Sequence, residues 1–126
     1  MRSTRGFTLI ELLIVIVIVG ILAAIAVVNF TNTKEKAYIA SQKSDLRNLA
    51  EAEEAYFYDS AAYTSNLVLM NNFTPSPGNT LVVNEATGQG WSATTSNVNT
   101  VKKCYLFTGN AAPVGSATKE GLISCS

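Results

Sequence analysis

Residues 6–28 of this chain of 126 residues are GFTLIELLIVIVIVGILAAIAVV, an apolar stretch with a single charged side chain, that of Glu11. From Leu12 to Val28 no side chain is polar. As a helix, the 22 residues Phe7–Val28 would span roughly 33 Å, which is enough to cross the hydrocarbon core of a bilayer. The stretch therefore predicts a membrane-spanning helix near the start of the chain.

The charges next to this stretch predict its orientation. Arg2 and Arg5 precede it and no basic residue follows it directly, which favours a cytoplasmic N-terminus with the bulk of the chain outside. A secretory signal is the competing interpretation, because Ala23-Ala24-Ile25-Ala26 imitates a signal-peptide cleavage site. Glu11 disfavours that alternative, since it would interrupt the apolar region of the signal.

A helical pattern continues beyond the apolar stretch. Ile39, Leu46, Ala50 and Phe57 follow each other at intervals of seven, four and seven, so they lie on one stripe of a helix. No Gly or Pro occurs in residues 21–74, so a single helix can extend over about residues 7–58, roughly 75 Å. A domain this small cannot bury such a helix. Half of it must pack against lipid or against other copies of the chain.

The pattern changes after residue 58. Residues 59–79 predict a polar connection, and three strand candidates follow, at Thr80–Asn84, Trp91–Thr95 and Val101–Thr108. The fold class predicted is α+β: one long N-terminal helix with a small antiparallel sheet packed on its C-terminal half. The aromatic side chains expected in the core are Trp91, Tyr105 and Phe107.

Two cysteines lie near the C-terminus, 21 positions apart. In an extracytoplasmic domain Cys104 and Cys125 are expected to form a disulfide, which closes a loop and adds about 3 kcal/mol to a small core. Two free buried thiols are the alternative.

Composition argues against several functions. The formal net charge is zero, so bulk electrostatics give no support to a nucleic-acid partner, which remains open only in principle. The chain has no histidine and no paired acids in its outer part, so neither catalysis nor a cofactor or metal site is expected. We therefore expect a non-enzyme.

The segment Gly6-Phe7-Thr8-Leu9-Ile10-Glu11-Leu12, behind a short basic leader and ahead of an apolar helix, resembles the processing signal of type IV prepilins and their relatives. The stretches SDLRNL at residues 44–49 and GWSAT at residues 90–94 also look like parts of bacterial pilins. So does a C-terminal cysteine pair. The first 60 residues match closely and the rest in outline.

The resemblance implies a sequence of events. A membrane aspartyl peptidase, the prepilin peptidase, would cut between Gly6 and Phe7 on the cytoplasmic side and methylate the new amino group of Phe7. Glu11 would be needed for assembly of the filament, and the helix from Phe7 onward would form the filament core. The partners implied are other copies of the chain, the inner membrane before assembly, and the pilus assembly platform with its ATPases. The final location would be an extracellular pilus.

The expected domains follow from this scheme. Residues 1–6 are a leader, residues 7–28 are the transmembrane and filament-core half of the helix, and residues 29–126 form the globular head. The head divides into a helix half (29–58), a connection (59–79) and a disulfide-closed sheet region (80–126).

In one feature the chain departs from the family. Relatives commonly carry a proline near the end of the apolar run, where this chain has Val28, although Gly20 is present. Gly20 is a candidate for local helix flexibility, and a small-residue contact between helices is the alternative. The helix melting described for related filaments is therefore not a firm expectation here.

The main expectation is a major pilin of a type IV pilus that serves adhesion, motility or DNA uptake. The alternatives are a type II secretion pseudopilin and a minor pilin or DNA-uptake subunit. Related pseudopilins often bind calcium in the head, whereas beyond residue 59 this chain has only Glu85 and Glu120 as acids, which argues against that alternative.

Overall fold

The computed structural model describes the backbone of residue 1 and of residues 6–126, and their side chains except those of residues 28 and 29. The predicted roles of Arg2, Arg5 and the Val28 side chain therefore lie outside the described part. The chain divides into two units, residues 1–34 and residues 35–126, and the single long helix α1 (Leu9–Ser60) contributes to both.

Both ends of α1 have local causes. Thr8 immediately precedes the first helical residue, and the Leu12 amide donates to the Thr8 carbonyl oxygen at 3.3 Å. At the other end, Ala61 has a positive φ of 54° and its amide donates to the Phe57 carbonyl oxygen at 2.8 Å. A residue in this left-handed conformation just past the last turn ends a helix, and glycine is the usual choice there.

The first unit consists of residues 1–34. Within it the large apolar side chains of residues 9–27 are all exposed, from 48% for Val15 to 89% for Leu9. The helix is long and apolar enough to cross a membrane. The unit thus presents an apolar surface that it does not cover itself.

The second unit, called the head from here on, consists of residues 35–126. Behind its part of α1 it has four strands, β1 (Asn79–Ala86), β2 (Gly90–Asn97), β3 (Thr100–Gly109) and β4 (Ser124–Cys125). They form one antiparallel sheet in the order β1-β2-β3-β4. Neighbours in the chain are also neighbours in the sheet.

The core of the head lies between α1 and the sheet. Leu46 and Leu49 of the helix are fully buried against Trp91 of β2 and Leu106 of β3, which are 1% and 4% exposed. Buried apolar area of this kind contributes roughly 25 cal/mol per Å². The remaining buried members of the cluster are Met70, Leu81, Ala93 and Cys104.

The predicted fold class is confirmed: one long N-terminal helix with an antiparallel sheet in the C-terminal half. The helix begins and ends two residues later than expected. Strands β1, β2 and β3 each extend beyond the predicted range at both ends. Strand β4 was not predicted, because Ser124 and Cys125 become a strand only by pairing with Tyr105 and Cys104. Tyr105 is half-buried, whereas Trp91 and Phe107 lie in the core as predicted.

Candidate assembly site at the start of the apolar helix

The Gly6–Phe7 peptide bond lies ahead of the helix. Residues 6–8 have no regular secondary structure, and both Gly6 and Phe7 are exposed, the latter at 84%. A Cβ placed on Gly6 would meet no other atom within 4 Å. The junction is therefore open to a second protein, as a cleavage site requires. Cleavage of the Gly6–Phe7 bond stays a prediction.

Thr8 and Glu11 form a reciprocal cap on the first turn of α1. The Thr8 amide and hydroxyl donate to Glu11 Oε2 at 2.8 and 2.7 Å, and the Glu11 amide donates back to Thr8 Oγ1 at 3.3 Å. This is the capping-box arrangement, in which N-cap and third residue satisfy amides that the helix leaves without partners. A carboxylate there also interacts favourably with the helix dipole.

The cap leaves part of Glu11 available. Both Thr8 donors go to Oε2, and within the described residues Oε1 has no hydrogen-bond donor. One carboxylate oxygen thus holds the helix start while the other faces outward, four residues after Phe7. Sequence analysis selected Glu11 but missed Thr8. The signal was present as a threonine three residues before a glutamate, directly ahead of an apolar run.

Gly20 lies in the apolar part of α1. The helix continues through it without interruption, and a Cβ there would meet no atom within 4 Å. The proposed flexibility, and the alternative helix contact, both remain predictions for the assembled state.

The predicted disulfide between Cys104 and Cys125 is present, and it joins β3 to β4. Next to it Lys103 and Ser126 exchange two backbone hydrogen bonds, of 2.9 and 3.0 Å. The C-terminus is therefore attached to the sheet both covalently and through the strand ladder.

Buried polar side chains in the helix stripe were missed by sequence analysis. Asp45 is 2% exposed, and its carboxylate accepts from the Ser76 amide, the Ser76 hydroxyl and Asn79 Nδ2 at 2.9, 2.6 and 2.7 Å. Gln42, fully buried, donates to the Lys102 carbonyl oxygen at 3.0 Å. These bonds fasten the connection and the sheet to α1. The signal was the placement of Gln42 and Asp45 on the same helical stripe as Leu46 and Leu49.

Glu53 is the third buried polar residue of that stripe, at 0% exposure. Its Oε2 accepts from the Thr64 amide at 3.1 Å, while Oε1 has no partner among the described residues. Burial raises the pKa of the Glu53 carboxyl above its ordinary value, the Thr64 amide opposes this, and the nearby charge of Glu54 adds to it. The fold therefore favours the protonated form of Glu53 more than the unfolded chain does.

In the part of the chain that the structure describes, no group of three or more metal-ligating side chains comes together. The two acids of the sheet region instead fix loops. Glu85 Oε2 accepts from the Ala112 amide at 3.0 Å, and Glu120 Oε1 accepts from the Gly109 amide at 2.7 Å.

Comparison with known proteins identifies the N-terminal segment. The family described as the prokaryotic N-terminal methylation motif matches residues 1–27. This range contains the Gly6–Phe7 junction, the Thr8–Glu11 cap and most of the exposed apolar helix.

The similar proteins are of two kinds. The type IV major pilin protein PilA of Myxococcus xanthus is 41% identical over 60% of this chain and 34% of its own length. The type IV wide pilus major component PilA4 of Thermus thermophilus is 42% identical over 52% of this chain and 50% of its own length. The type II secretion system core protein G of Pseudomonas aeruginosa is 41% identical over 51% and 45%.

The N-terminal segment carries the prokaryotic N-terminal methylation motif, and the chain is similar to both pilins and pseudopilins. The matched part spans half or less of the length of these three relatives. Pilins and core proteins G match with nearly equal identity, so the likeness does not distinguish a pilin from a pseudopilin. The named relatives are structural proteins, which agrees with the expected non-enzyme.

Proposed function

We propose that this chain is the major structural subunit of a type IV pilus. It is made as a membrane-held precursor, cleaved between Gly6 and Phe7, and polymerised through its apolar helix. The observation that carries the proposal is the Glu11 carboxylate, which is positioned by Thr8 with one oxygen left outward, next to the bond whose cleavage would create an amino group.

The exposed apolar surface of residues 9–27 supports storage in the membrane. In lipid this surface is solvated by hydrocarbon, and Glu11 sits near one end of the span, where a charge costs less than the ~3 kcal/mol of a central position. Arg2 and Arg5 favour a cytoplasmic N-terminus. The leader, residues 1–6, and the head would then lie on opposite sides of the membrane.

Cleavage would act as the assembly switch. Prepilin peptidase would hydrolyse the exposed Gly6–Phe7 bond: the water oxygen would bond to the Gly6 carbonyl carbon to give a carboxylate, and the Phe7 nitrogen would take up a proton and leave as an amino group. The same enzyme would then transfer a methyl group from a methyl-donor cosubstrate to that amino group, which keeps its positive charge. Without cleavage, the two arginines of the leader would have to enter the packed core of the filament.

Assembly would then pair the cation of one subunit with the anion of another. When the helix leaves lipid for the filament core, Glu11 loses contact with water and headgroups, and a buried carboxylate requires a cation. The Phe7 amino group of an adjoining copy would supply it and bind the outward oxygen Oε1. The assembly platform and its ATPases are the further partners implied, and no cofactor is needed.

A type II secretion pseudopilin is the second candidate, favoured by the equal identity of core protein G. The carboxylates of Glu85 and Glu120 accept hydrogen bonds from backbone amides of loops. This supports a pilus subunit over a pseudopilin, because the two acids hold loops in place and are not needed to bind calcium. A minor pilin or DNA-uptake subunit is the third candidate, and no observation favours it.

Mass spectrometry of filaments sheared from cells tests the proposal. We expect this chain as the most abundant component, beginning at Phe7 with a methylated amino group and carrying the Cys104–Cys125 disulfide. A chain starting at Met1, or after residue 24, contradicts the cleavage. Deletion should abolish surface filaments and leave protein secretion intact; the reverse outcome would assign the chain to the secretion system.

A further inference from the structure

We propose that each head carries a groove that binds the C-terminal end of α1 of a second copy of this chain. The inference rests on the proposed polymerisation and specifies a place where two heads touch. It concerns only residues of the second unit.

The groove lies between α1 and the C-terminal segment. It has a volume of about 380 Å³ and is lined on one side by Lys43, Arg47 and Ala50 of the helix, and on the other by Leu106 of β3 and residues 121–123. Leu122 is 59% exposed. One wall is therefore basic and the other apolar. An occupant that fits must combine an apolar side chain with a negative charge.

The two cations of the groove are not neutralised within the subunit. Among the described residues, neither Lys43 nor Arg47 has a carboxylate within ion-pair distance. They are four residues apart on one helix face, where like charges destabilise a helix. A carboxylate entering between them would relieve this repulsion.

The C-terminal end of α1 has the matching chemistry. Tyr58 is 90% exposed, and Asp59, next to it, is exposed and has no ion-pair partner among the described residues. The last turn of the helix contains no basic residue. An acid at the negative end of a helix dipole is unfavourable there unless a cation lies near it. We call Tyr58 and Asp59 the knob.

The knob cannot reach the groove of its own subunit. Asp59 lies 12 residues after Arg47 on the same helix, a separation of roughly 18 Å along the axis. A second copy can supply the knob, with the Tyr58 ring against Leu122 and the Asp59 carboxylate between Lys43 and Arg47. Because groove and knob are different patches of the subunit, the contact is heterologous and can repeat from copy to copy, as a filament requires.

Charge exchange tests the contact directly. Arg47→Glu alone and Asp59→Arg alone should each reduce the filament sheared from cells roughly tenfold, since each replaces an attraction by a repulsion. The double variant Arg47→Glu/Asp59→Arg should restore filament toward the wild-type amount. Lys102→Glu, an exposed lysine of β3 outside the groove, is the matched control and should leave the yield unchanged.

Protein that remains in the membrane separates assembly from folding. Every variant should be present there in cleaved form with the Cys104–Cys125 disulfide intact. Single variants that assemble like the wild type, or a double variant that assembles no better than either single one, overturn the groove contact. That outcome would leave the proposed function as a pilus subunit unaffected. Absence of wild-type filaments would instead overturn the proposed function.

A second measurement does not depend on filament yield in the charge variants. In filaments of the variant Tyr58→Cys/Leu122→Cys, a thiol oxidant should produce a ladder of covalent oligomers. Either single cysteine variant should give no ladder. A double variant that assembles but stays monomeric after oxidation overturns the contact, and a ladder establishes it as one between copies of this chain and not with another protein.

Discussion

The two halves of α1 use apolar residues in opposite ways. In residues 9–27 every large apolar side chain is exposed, whereas in the head Leu46 and Leu49 have no exposed surface at all. Helix formation is the same in both halves, so local structure does not explain the difference. The second half is covered by a sheet from its own chain. The first half is exposed, and under the proposed function it would contact lipid first and other copies later.

The polar residues of the two halves of α1 also differ in exposure. In the first half the charge of Glu11 lies at the helix end, where its donors among the described residues are the Thr8 amide and hydroxyl. In the second half Asp45 and Gln42 are buried, and donors or acceptors from distant parts of the chain surround them. Changes in the first half should therefore affect assembly, and changes in the second half should affect stability of the head.

The largest effect is expected at Glu11. Glu11→Ala should insert into the membrane and be cleaved after Gly6, but it should form little sheared filament. The Phe7 amino group of an adjoining copy would enter the core without a counter-charge, which costs about 3–5 kcal/mol. Glu11→Gln should be less severe but still defective, because it keeps the shape and loses the charge.

Thr8→Val is the control that separates capping from pairing. It removes the hydroxyl donor and keeps the carboxylate, so only about 1 kcal/mol of helix capping should be lost. Normal filaments from Glu11→Ala as the sole subunit contradict the pairing. A Thr8→Val defect as large as that of Glu11→Ala assigns the role of Glu11 to capping.

The disulfide should have the next largest effect, confined to the head. Cys104→Ser should lower the free energy of unfolding by about 3 kcal/mol, since the closed loop no longer restricts the unfolded chain. Urea unfolding of the full chain in detergent, followed by the fluorescence of its single tryptophan, Trp91, would measure it. Membrane insertion and cleavage should not change. Equal unfolding midpoints for the variant and the wild type would falsify this prediction.

A smaller loss is expected at Asp45. Asp45→Ala would leave the Ser76 amide, the Ser76 hydroxyl and Asn79 Nδ2 without their acceptor, at a cost of about 2 kcal/mol. Asp45→Asn should cost less, because it retains one acceptor oxygen. The same unfolding experiment measures both. If alanine proves no worse than asparagine, the three hydrogen bonds do not hold the connection to α1.

The smallest effect concerns pH and Glu53. Because burial raises the folded-state pKa of Glu53 above its ordinary 4.5, its protonated form favours folding at low pH. That contribution is lost as the pH rises through the folded-state pKa. Glu53→Gln removes the titration, so the free energy of unfolding of the wild type minus that of the variant should decrease as the pH is raised from below 4.5. A difference independent of pH contradicts the prediction.

Much of the fold could be predicted from local patterns. The uninterrupted apolar run and the absence of Gly and Pro indicated α1, and alternating strand candidates indicated the sheet. β4 and the buried polar stripe could not be found in this way. Ser124 and Cys125 have no strand pattern of their own, and Asp45 is tolerated in a core only because Ser76 and Asn79, 31 and 34 positions away, bring donors to it.

The sequence by itself determined the apolar helix, the Gly6–Phe7 junction, Glu11 and the cysteine pair, because hydropathy, short motifs and cysteine spacing are properties of neighbouring residues. Only the tertiary structure decided which oxygen of Glu11 is left outward, which polar side chains are buried, and that Lys43 and Arg47 face an apolar wall formed by residues 121–123. Such features depend on contacts between segments far apart in the chain. Their geometry is set by the packing of the whole head and not by local preference.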